Sequence, residues 1–520
     1  LIACTNVANL LLARGTAREG EFAVRVAMGA AGGTILRQLL TESVVLSALG
    51  GLLGLGFAAW GTDALLALAP ATLPGVERVG VDASVLAFAA LTTLLTGVVF
   101  GTFPAWRASR ADVYASVRSS TGGSVRGRLR SGLVVGQVAL AMVLLTGAGL
   151  MLESFERLNR VDLGYEAEGV LAVRMGLPAS RFATGADRIA YYEELVARLD
   201  ALPGVSSAGA TDSPPLAGFD GDASFRIEGA PPPRPTDVPV AWIRRVTPGY
   251  FGTVRQELVQ GRGFDASDAA GAPLAVVVNE MLARRYYGYP ERSPVGLRIA
   301  FGSAGEPSWR TIVGVVEDTR HFAIRDGERP AAYLPFAQVT SPFMTVMLRS
   351  EGDPARLAAA ARATVTEVDA RLAASNVRPL TELVEQATAR ERFLASLLGL
   401  FSLVALVLAA GGLYGVVSYG VGLRRREMGI RLALGARRME IRLLVVAGGL
   451  GLAAAGIALG TLGSLALTRV LEALLFEVSA TDPSTFLGTA VTLGAVALLA
   501  SWLPTQRLRE ADPVAVLRAD

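Results

Sequence analysis

Glu427-Met428-Gly429-Ile430-Arg431-Leu432-Ala433-Leu434-Gly435-Ala436 is the second copy of a pattern that already stands at Glu21-Phe22-Ala23-Val24-Arg25-Val26-Ala27-Met28-Gly29-Ala30. Another segment also recurs: Pro104-Ala105-Trp106-Arg107, which runs on to Arg118, returns as Pro504-Thr505-Gln506-Arg507, which runs on to Arg518. Each copy is basic and polar, and each lies between long apolar runs. Because the same segments recur in the same surroundings, the sequence indicates a duplicated membrane unit.

Six stretches of the chain are apolar and long enough to cross a membrane. The 520 residues are 52% apolar, with a mean hydropathy of +0.44, which is high for a soluble protein. A transmembrane helix needs roughly 20 mostly apolar residues, and we expect such helices at 36–67, 84–105, 132–153, 393–420, 443–474 and 484–504. Residues 1–13 resemble the end of a further span, so we expect a truncated N-terminus. We do not expect a signal peptide, because this stretch has neither the basic start nor the cleavage site that a signal peptide needs.

The basic residues, all of which are arginines, alternate between the loops. They cluster at 14–37, 107–130, 424–442 and 507–518, whereas the short loops 68–83 and 475–483 contain almost none. Short arginine-rich loops stay on the cytoplasmic side of a membrane, which places residues 154–392 on the outer side. Cys4 is the only cysteine, so no internal disulfide holds that outer segment together.

The order of spans and loops divides the chain into five parts. We expect a first membrane unit at 1–118, a cytoplasmic linker at 119–131, a transmembrane helix at 132–153, an outer domain at 154–392 and a second membrane unit at 393–520. With helix 132–153, the second unit has four spans, whereas the first shows three. The duplication therefore predicts that the first unit's initial span, with its own outer domain, precedes Leu1.

The outer domain has the pattern of an α/β (α+β) fold. Apolar residues at helical spacing predict helices at 183–202 and 354–373. Runs rich in β-branched residues predict strands at 169–176, 238–246, 274–279, 310–316 and 343–349. Residues 380–392 also look helical and run into the span at 393. Motion of the outer domain could then pass directly into the membrane.

The repeated loops contain the candidate site residues. Glu21 and Arg25 are four residues apart, as are Glu427 and Arg431, and such pairs stabilise an exposed helix slightly. Each pattern predicts a short amphipathic helix that ends at a glycine, Gly29 or Gly435, where glycine suits the cap. Two interpretations remain open: an interfacial helix anchored by arginines, or a coupling helix that docks on a cytoplasmic partner. The duplication of this stretch favours coupling.

These motifs resemble the FtsX/MacB-type permeases of ABC transporters. The resemblance rests on the two loop patterns with the preceding Asn9-Leu10-Leu11-Leu12-Ala13-Arg14, on the closing segments at 104–113 and 504–514, and on Gly261-Arg262-Gly263-Phe264 in the outer segment. It covers essentially the whole chain and looks like the duplicated orphan permeases of the acidobacterial type. It implies an α-helical integral membrane protein with two FtsX-like units and a MacB-type periplasmic core domain.

The resemblance also implies a function. Glu21, Arg25, Gly29, Glu427, Arg431 and Gly435 would belong to helices that meet nucleotide-binding subunits. The protein would lie in the bacterial inner membrane and transmit ATP-driven motion to periplasmic cargo, alone or with a periplasmic adaptor or envelope protein. Two fused units would allow a monomeric permease. Because the sequence has no lysine, it has no P-loop, so we expect the ABC ATPase to act in trans.

The other candidate sites in the sequence favour structural rather than chemical roles. Glu317, Asp318 and His321 are more typical of a solvated surface than of a metal site, and we find no catalytic set, so we expect neither an enzyme nor a cofactor. The basic stretch 126–130 suits lipid headgroups rather than nucleic acid. The glycine pairs 50/54, 411/415 and 456/460 have the spacing of close helix contacts. The alternative function is an ATPase-independent scaffold or signalling protein that binds an envelope partner through its outer domain.

Overall fold

The protein is described here by a computed structural model. It covers residues 32–69, 79–109, 123–217, 221–302, 308–321, 323–325, 327–472 and 475–506, apart from 232, 233, 235 and 236, together with residues 3, 6, 25 and 28. The chain forms two compact units. We call Leu1–Arg157 with Arg390–Asp520 the membrane unit and Leu158–Ala389 the outer unit.

Long apolar helices make up the membrane unit. They are α1 (Gly32–Leu68), α2 (Ala83–Ser109), α3 (Gly123–Asn159), α8 (Leu380–Leu423), α10 (Arg438–Leu471) and α11 (Pro483–Gln506), and the short helix α9 (Arg425–Ala433) lies between α8 and α10. In the described residues, five of these helices are long and apolar enough to cross a membrane, and the apolar part of α2, Ala83–Val98, is shorter. Each predicted span coincides with one of these helices.

Four helices of the membrane unit share a core. Val134 and Val138 of α3 pack with Leu413 of α8, Ala453 of α10 and Ala497 of α11. Small residues allow this approach: a Cβ added at Gly456 would lie 2.6 Å from Val138 Cβ, and one at Gly460 would lie 2.7 Å from the Ala139 carbonyl oxygen. Helices α3 and α10 therefore touch through their backbones, which only glycine permits here.

The outer turns of the two membrane copies are built alike. Asp82 Oδ1 accepts hydrogen bonds from Val85 N at 2.8 Å and Ser84 Oγ at 2.7 Å at the start of α2. Asp482 Oδ2 accepts from Thr485 N at 2.8 Å and from Ser484 Oγ at the start of α11. These donors hold the pKa of both carboxyls below the usual range, as expected for aspartates that cap helix N-termini. The sequence repeat is thus also a structural repeat.

The outer unit is a mixed α/β domain around one eleven-stranded sheet. Its order is β11-β1-β10-β2-β4-β3-β7-β8-β6-β9, with β5 paired to β8 and β4 also paired to β9. The strands are β1 (Val170–Gly176), β2 (Val205–Thr211), β3 (Asp222–Ile227), β4 (Val240–Val246), β5 (Leu258–Gly261), β6 (Ala275–Asn279), β7 (Arg298–Phe301), β8 (Trp309–Val316), β9 (Ala331–Pro335), β10 (Phe343–Ser350) and β11 (Asn376–Pro379).

Four helices complete the outer unit: α4 (Gly185–Asp200), α5 (Tyr250–Val254), α6 (Glu280–Tyr287) and α7 (Ala358–Val368). Tyr192 and Leu195 of α4 pack with Val365 of α7 against Val346 of β10. A second apolar cluster gathers around Tyr250 and Tyr333, and a third around Phe225 and Leu282. The domain therefore holds itself together by burial and, as the sequence requires, without disulfides.

The predicted elements of the outer unit are confirmed with small shifts of boundary. The helix expected at 354–373 is a 3₁₀ turn at Pro354–Leu357 followed by α7. Helix α8 runs unbroken from Leu380 to Leu423, which confirms the continuous helix expected across residue 392. Six of the strands were not predicted: β2, β3, β5, β7, β9 and β11.

Candidate functional site

The second loop copy forms helix α9, and the predicted ion pair lies on it. Arg431 Nη2 is 2.6 Å from a Glu427 carboxylate oxygen, one turn apart. Both side chains are about half exposed, at 48% and 50%, so the pair contributes only a few tenths of a kcal/mol to the helix. Its charges remain accessible, which is what a recognition surface requires.

The end of α9 is a glycine cap. Gly435 has a φ of +96°, a backbone conformation that favours glycine. Ala436 N donates to Arg431 O at 2.9 Å, which is the long bond of a Schellman motif. Arg437 N then donates to Glu440 Oε2 at 3.1 Å at the start of α10. The C-terminal end of α9 and the N-terminal end of α10 are thus both capped.

Among the side chains of helix α9 that the structure describes, the buried one is Met428. Met428 is 5% exposed and packs with Val421 of α8 and with Ile441 and Val445 of α10. Other apolar side chains point outward: Ile430 is 45% exposed and Leu434 is 82% exposed. The helix is therefore held on one side and presents an apolar surface with flanking charges on another. A lipid interface and a protein partner both suit such a surface.

The first copy is described only in part. Glu21 and Gly29 lie outside the described residues. Arg25 Nη1 donates to Gln38 Oε1 of α1 at 3.0 Å. Met28, which occupies the repeat position of Leu434, is 76% exposed. The two copies therefore present an exposed apolar side chain at the same position of the pattern.

The glycine pairs behave differently from one another. Gly456 and Gly460 meet α3, as described above, whereas an added Cβ at Gly50, Gly54, Gly411 or Gly415 would meet nothing within 4 Å. One of the predicted close contacts is thus present. In the first copy it is instead Gly51 and Gly97 that allow α1 and α2 to approach, against Thr93 and Ser47.

Glu317, Asp318 and His321 do not converge. His321 Nε2 accepts from Arg244 Nε at 3.0 Å, whereas Asp318 Oδ1 accepts from Asn279 Nδ2 at 2.6 Å and from Met281 N at 2.7 Å. In the described part of the chain, no group of three histidine, cysteine or acidic side chains could hold a metal ion. Ser213 Oγ lies 3.2 Å from His321 Nε2, but the same nitrogen accepts from Arg244 Nε, so its lone pair is already engaged.

Sequence reasoning missed two polar side chains that meet one carbonyl in the membrane unit. Asn6 Nδ2 donates to Leu408 O of α8 at 3.0 Å, and Gln137 Nε2 of α3 donates to the same oxygen. Gly412, one turn further, leaves room for both amides. A glutamine in the middle of an apolar span was the available signal, because polar groups there seek partners on other helices.

Two family models match the chain. The model of the FtsX-like permease C-terminal domain matches twice, at residues 1–113 and 399–513. The model of the MacB-like periplasmic core domain matches residues 131–364. Together they account for most of the sequence, and the double match coincides with the internal repeat.

Curated relatives each align with about a fifth to a quarter of the chain. PvdT of Pseudomonas syringae pv. tomato, a pyoverdine export ATP-binding/permease protein, is 38% identical over 119 residues, which are 23% of this chain and 17% of PvdT. The ABC transporter permease YknZ of Bacillus subtilis is 36% identical over 118 residues, 23% of this chain and 28% of YknZ. MacB of Salmonella choleraesuis, a macrolide export ATP-binding/permease protein, is 35% identical over 106 residues, 20% of this chain and 16% of MacB. The aligned segments thus span less than a third of each relative.

A solved structure also aligns with this chain. The periplasmic region of MacB from Actinobacillus actinomycetemcomitans covers 44% of this chain and 96% of its own length, at 10% identity and a TM-score of 0.30.

Proposed function

Because this chain belongs to the FtsX/MacB-like permeases of ABC transporters, which work with an ATPase, we propose that it couples a separate cytoplasmic ATPase to efflux or release of a periplasmic substrate. The proposed coupling residues are Glu21, Arg25, Gly29, Glu427, Arg431 and Gly435. The protein would lie in the bacterial inner membrane, with residues 154–392 as its periplasmic domain and 1–118 and 393–520 as its two permease units.

Helix α9 carries the proposal. A coupling element must be stiff and must present side chains that a partner can bind. Met428 and the glycine cap at the C-terminal end fix α9 between α8 and α10, while Ile430 and Leu434 remain exposed beside the Glu427–Arg431 pair. A protein interface is typically an apolar centre with a charged rim, and α9 has this composition.

Helix α8 supports mechanical transmission. It runs from Leu380 to Leu423 without a break, and α9 begins two residues later. A displacement of α9 would thus act directly on one end of a continuous helix of 44 residues. We propose that this continuous helix transmits motion of the cytoplasmic loop along the chain to residues 380–389, and that both permease units on one chain allow a monomeric permease.

The first test is whether a partner ATPase exists. We would purify the full-length protein in mild detergent from its native host and identify co-purifying proteins by mass spectrometry. A near-stoichiometric P-loop ATPase supports the proposal. Its reproducible absence, with envelope proteins recovered instead, would favour the ATPase-independent scaffold, with a periplasmic adaptor or envelope protein as its partner.

The second test exchanges the charges of α9. The double variant Glu427→Arg with Arg431→Glu keeps an intrahelical pair but reverses the charges that a partner meets. We expect it to lose the ATPase and its stimulation while the protein still inserts into the membrane. Glu194→Arg with Arg198→Glu is the matched control, because this pair on α4 has the same 2.6 Å separation and similar exposure. Equal ATPase stimulation in both double variants would refute the assignment.

A further inference from the structure

The second copy of the repeated loop carries more positive charge than the first. Residues 424–444 contain seven arginines and two glutamates, an excess of five positive charges. The equivalent residues of the first copy, 18–38, contain three arginines and two glutamates, an excess of one. The two stretches otherwise follow one pattern, so the additional charge is a property of the second membrane copy alone.

Three of the additional arginines lie at the start of α10. They are Arg437, Arg438 and Arg442, and the first copy has uncharged residues at the equivalent positions 31, 32 and 36. Arg437 and Arg438 are exposed and Arg442 is partly exposed. The N-terminal end of a helix carries a partial positive charge, so acidic side chains are favourable there and arginines are unfavourable. These arginines therefore do not stabilise α10 by themselves.

The two glutamates of this stretch already have partners. The Glu427 carboxylate lies 2.6 Å from Arg431 Nη2, and Glu440 Oε2 accepts from the backbone N of Arg437 at 3.1 Å. Glu440 thus caps α10, as an acidic residue in the first turn should. The excess of positive charge in residues 424–444 is consequently presented to whatever surrounds the start of α10.

Exposed apolar side chains lie beside the arginines. Met439 and Leu443 are each 61% exposed and are four residues apart, as are Arg438 and Arg442. Residues four apart lie on the same side of a helix, so an apolar pair and a basic pair run side by side. Helix α10 is long and apolar enough to cross a membrane from Arg438 onward. Its first turns therefore lie where the acyl chains of a bilayer meet the headgroups.

We propose that the start of α10 binds an anionic phospholipid through Arg437, Arg438 and Arg442. A guanidinium donates charge-assisted hydrogen bonds to phosphate oxygens, and Met439 and Leu443 contact the upper part of the acyl chain. Each arginine near an anionic membrane surface strengthens binding about fivefold. The site leaves the exposed side of α9 to a protein partner. It goes beyond the proposed coupling function and would exist in an ATPase-independent scaffold as well.

A fluorescent reporter at position 439 tests the site locally. In a Cys4→Ala background, Met439→Cys would be labelled with an environment-sensitive fluorophore. The full-length protein would then be placed, without any ATPase, in nanodiscs of phosphatidylcholine with increasing phosphatidylglycerol. We expect a saturable change in emission as phosphatidylglycerol rises. Gly33→Cys is the matched control, because residue 33 is the counterpart of 439 in the repeat and an added Cβ there meets nothing within 4 Å. An equal response at both positions would overturn the proposal.

Variants of the arginines identify the group that binds. The triple variant Arg437→Gln, Arg438→Gln and Arg442→Gln should raise the phosphatidylglycerol fraction at half-response by at least about tenfold. The corresponding triple lysine variant keeps the charge and should retain most of the response. If the glutamine variant does not insert, raising the salt from about 0.05 M to about 0.5 M should weaken the wild-type response several-fold. A response that neither the glutamine variant nor salt weakens would refute the site, and an equal response to glycerol phosphate in phosphatidylcholine nanodiscs would show a free-phosphate site instead of a lipid site.

Discussion

Protonation of His321 should destabilise the outer unit below neutral pH. His321 is the only histidine of the chain, so the effect has one source. In the folded state its Nε2 accepts from Arg244 at 3.0 Å, and a proton there would place two donors face to face in the interior. The pKa of His321 is therefore well below 6.5 in the folded state and near 6.5 in the unfolded chain.

The sign and size follow from linkage. Because the folded-state pKa of His321 is depressed, its contribution to stability is present above the unfolded pKa and is lost as pH falls below it. Between pH 7.5 and 5.5 the unfolded chain gains close to one proton that the folded state does not bind. This lowers the free energy of unfolding by about 1.4 kcal/mol. For a domain of this size, this contribution alone corresponds to about 3–6 °C of unfolding temperature, and it is measured as the difference between the wild type and His321→Gln.

The assay compares the wild type with His321→Gln, which can still accept a hydrogen bond from Arg244. Unfolding of the full-length protein would be followed by tryptophan fluorescence at both pH values. Asp318, whose pKa burial raises to about 6, acts in the opposite direction because its protonation favours the folded state. That contribution is common to both proteins and cancels. An equal change in unfolding temperature in wild type and His321→Gln would refute the reasoning.

Three further comparisons test the packing. Gly460→Ala should destabilise the membrane unit by about 1–3 kcal/mol, because the new methyl group meets the backbone of α3. Gly54→Ala, at the counterpart position in the repeat, should change the stability by no more than about 0.5 kcal/mol. Thermal aggregation in detergent compares the two variants. Asp82→Ala and Asp482→Ala should each expose the first turn of their helix to hydrogen exchange to the same degree, and unequal effects would contradict the equivalence of the caps. Arg349→Met should cost about 1–3 kcal/mol in denaturant unfolding of the outer unit, because three carbonyls lose their donor.

The helices and strands that could be predicted from the sequence are those marked by a continuous run of characteristic residues. The spans and the strands β1, β4, β6, β8 and β10 have apolar or β-branched runs that identify them. Strand β2, Val205–Thr211, consists mainly of small residues and is a strand because β10 and β4 pair with it. Strand β9, Ala331–Pro335, is short and buried throughout, so it lacks the alternation that marks a strand with one exposed face.

The side chains of the candidate sites differ in the same way: contacts between residues close in sequence could be predicted, and contacts between distant residues could not. The ion pair and the glycine cap of α9 depend on residues within ten positions, so their geometry could be predicted from spacing alone. The contact of Arg244 with His321 joins residues 77 positions apart, and no periodicity announces it. The sequence shows that His321 is the only histidine, but composition alone does not predict which residues it contacts.

The contrast between Gly456/Gly460 and Gly50/Gly54 bears on how the two copies can evolve. In a symmetric pair of identical subunits, one gene encodes both, so every substitution appears twice and must suit both positions. Here the repeats are separate stretches of one open reading frame. A larger residue at Gly54 would meet open space, while the same change at Gly460 would strike α3. Selection can therefore act on each half alone, and the halves are free to specialise.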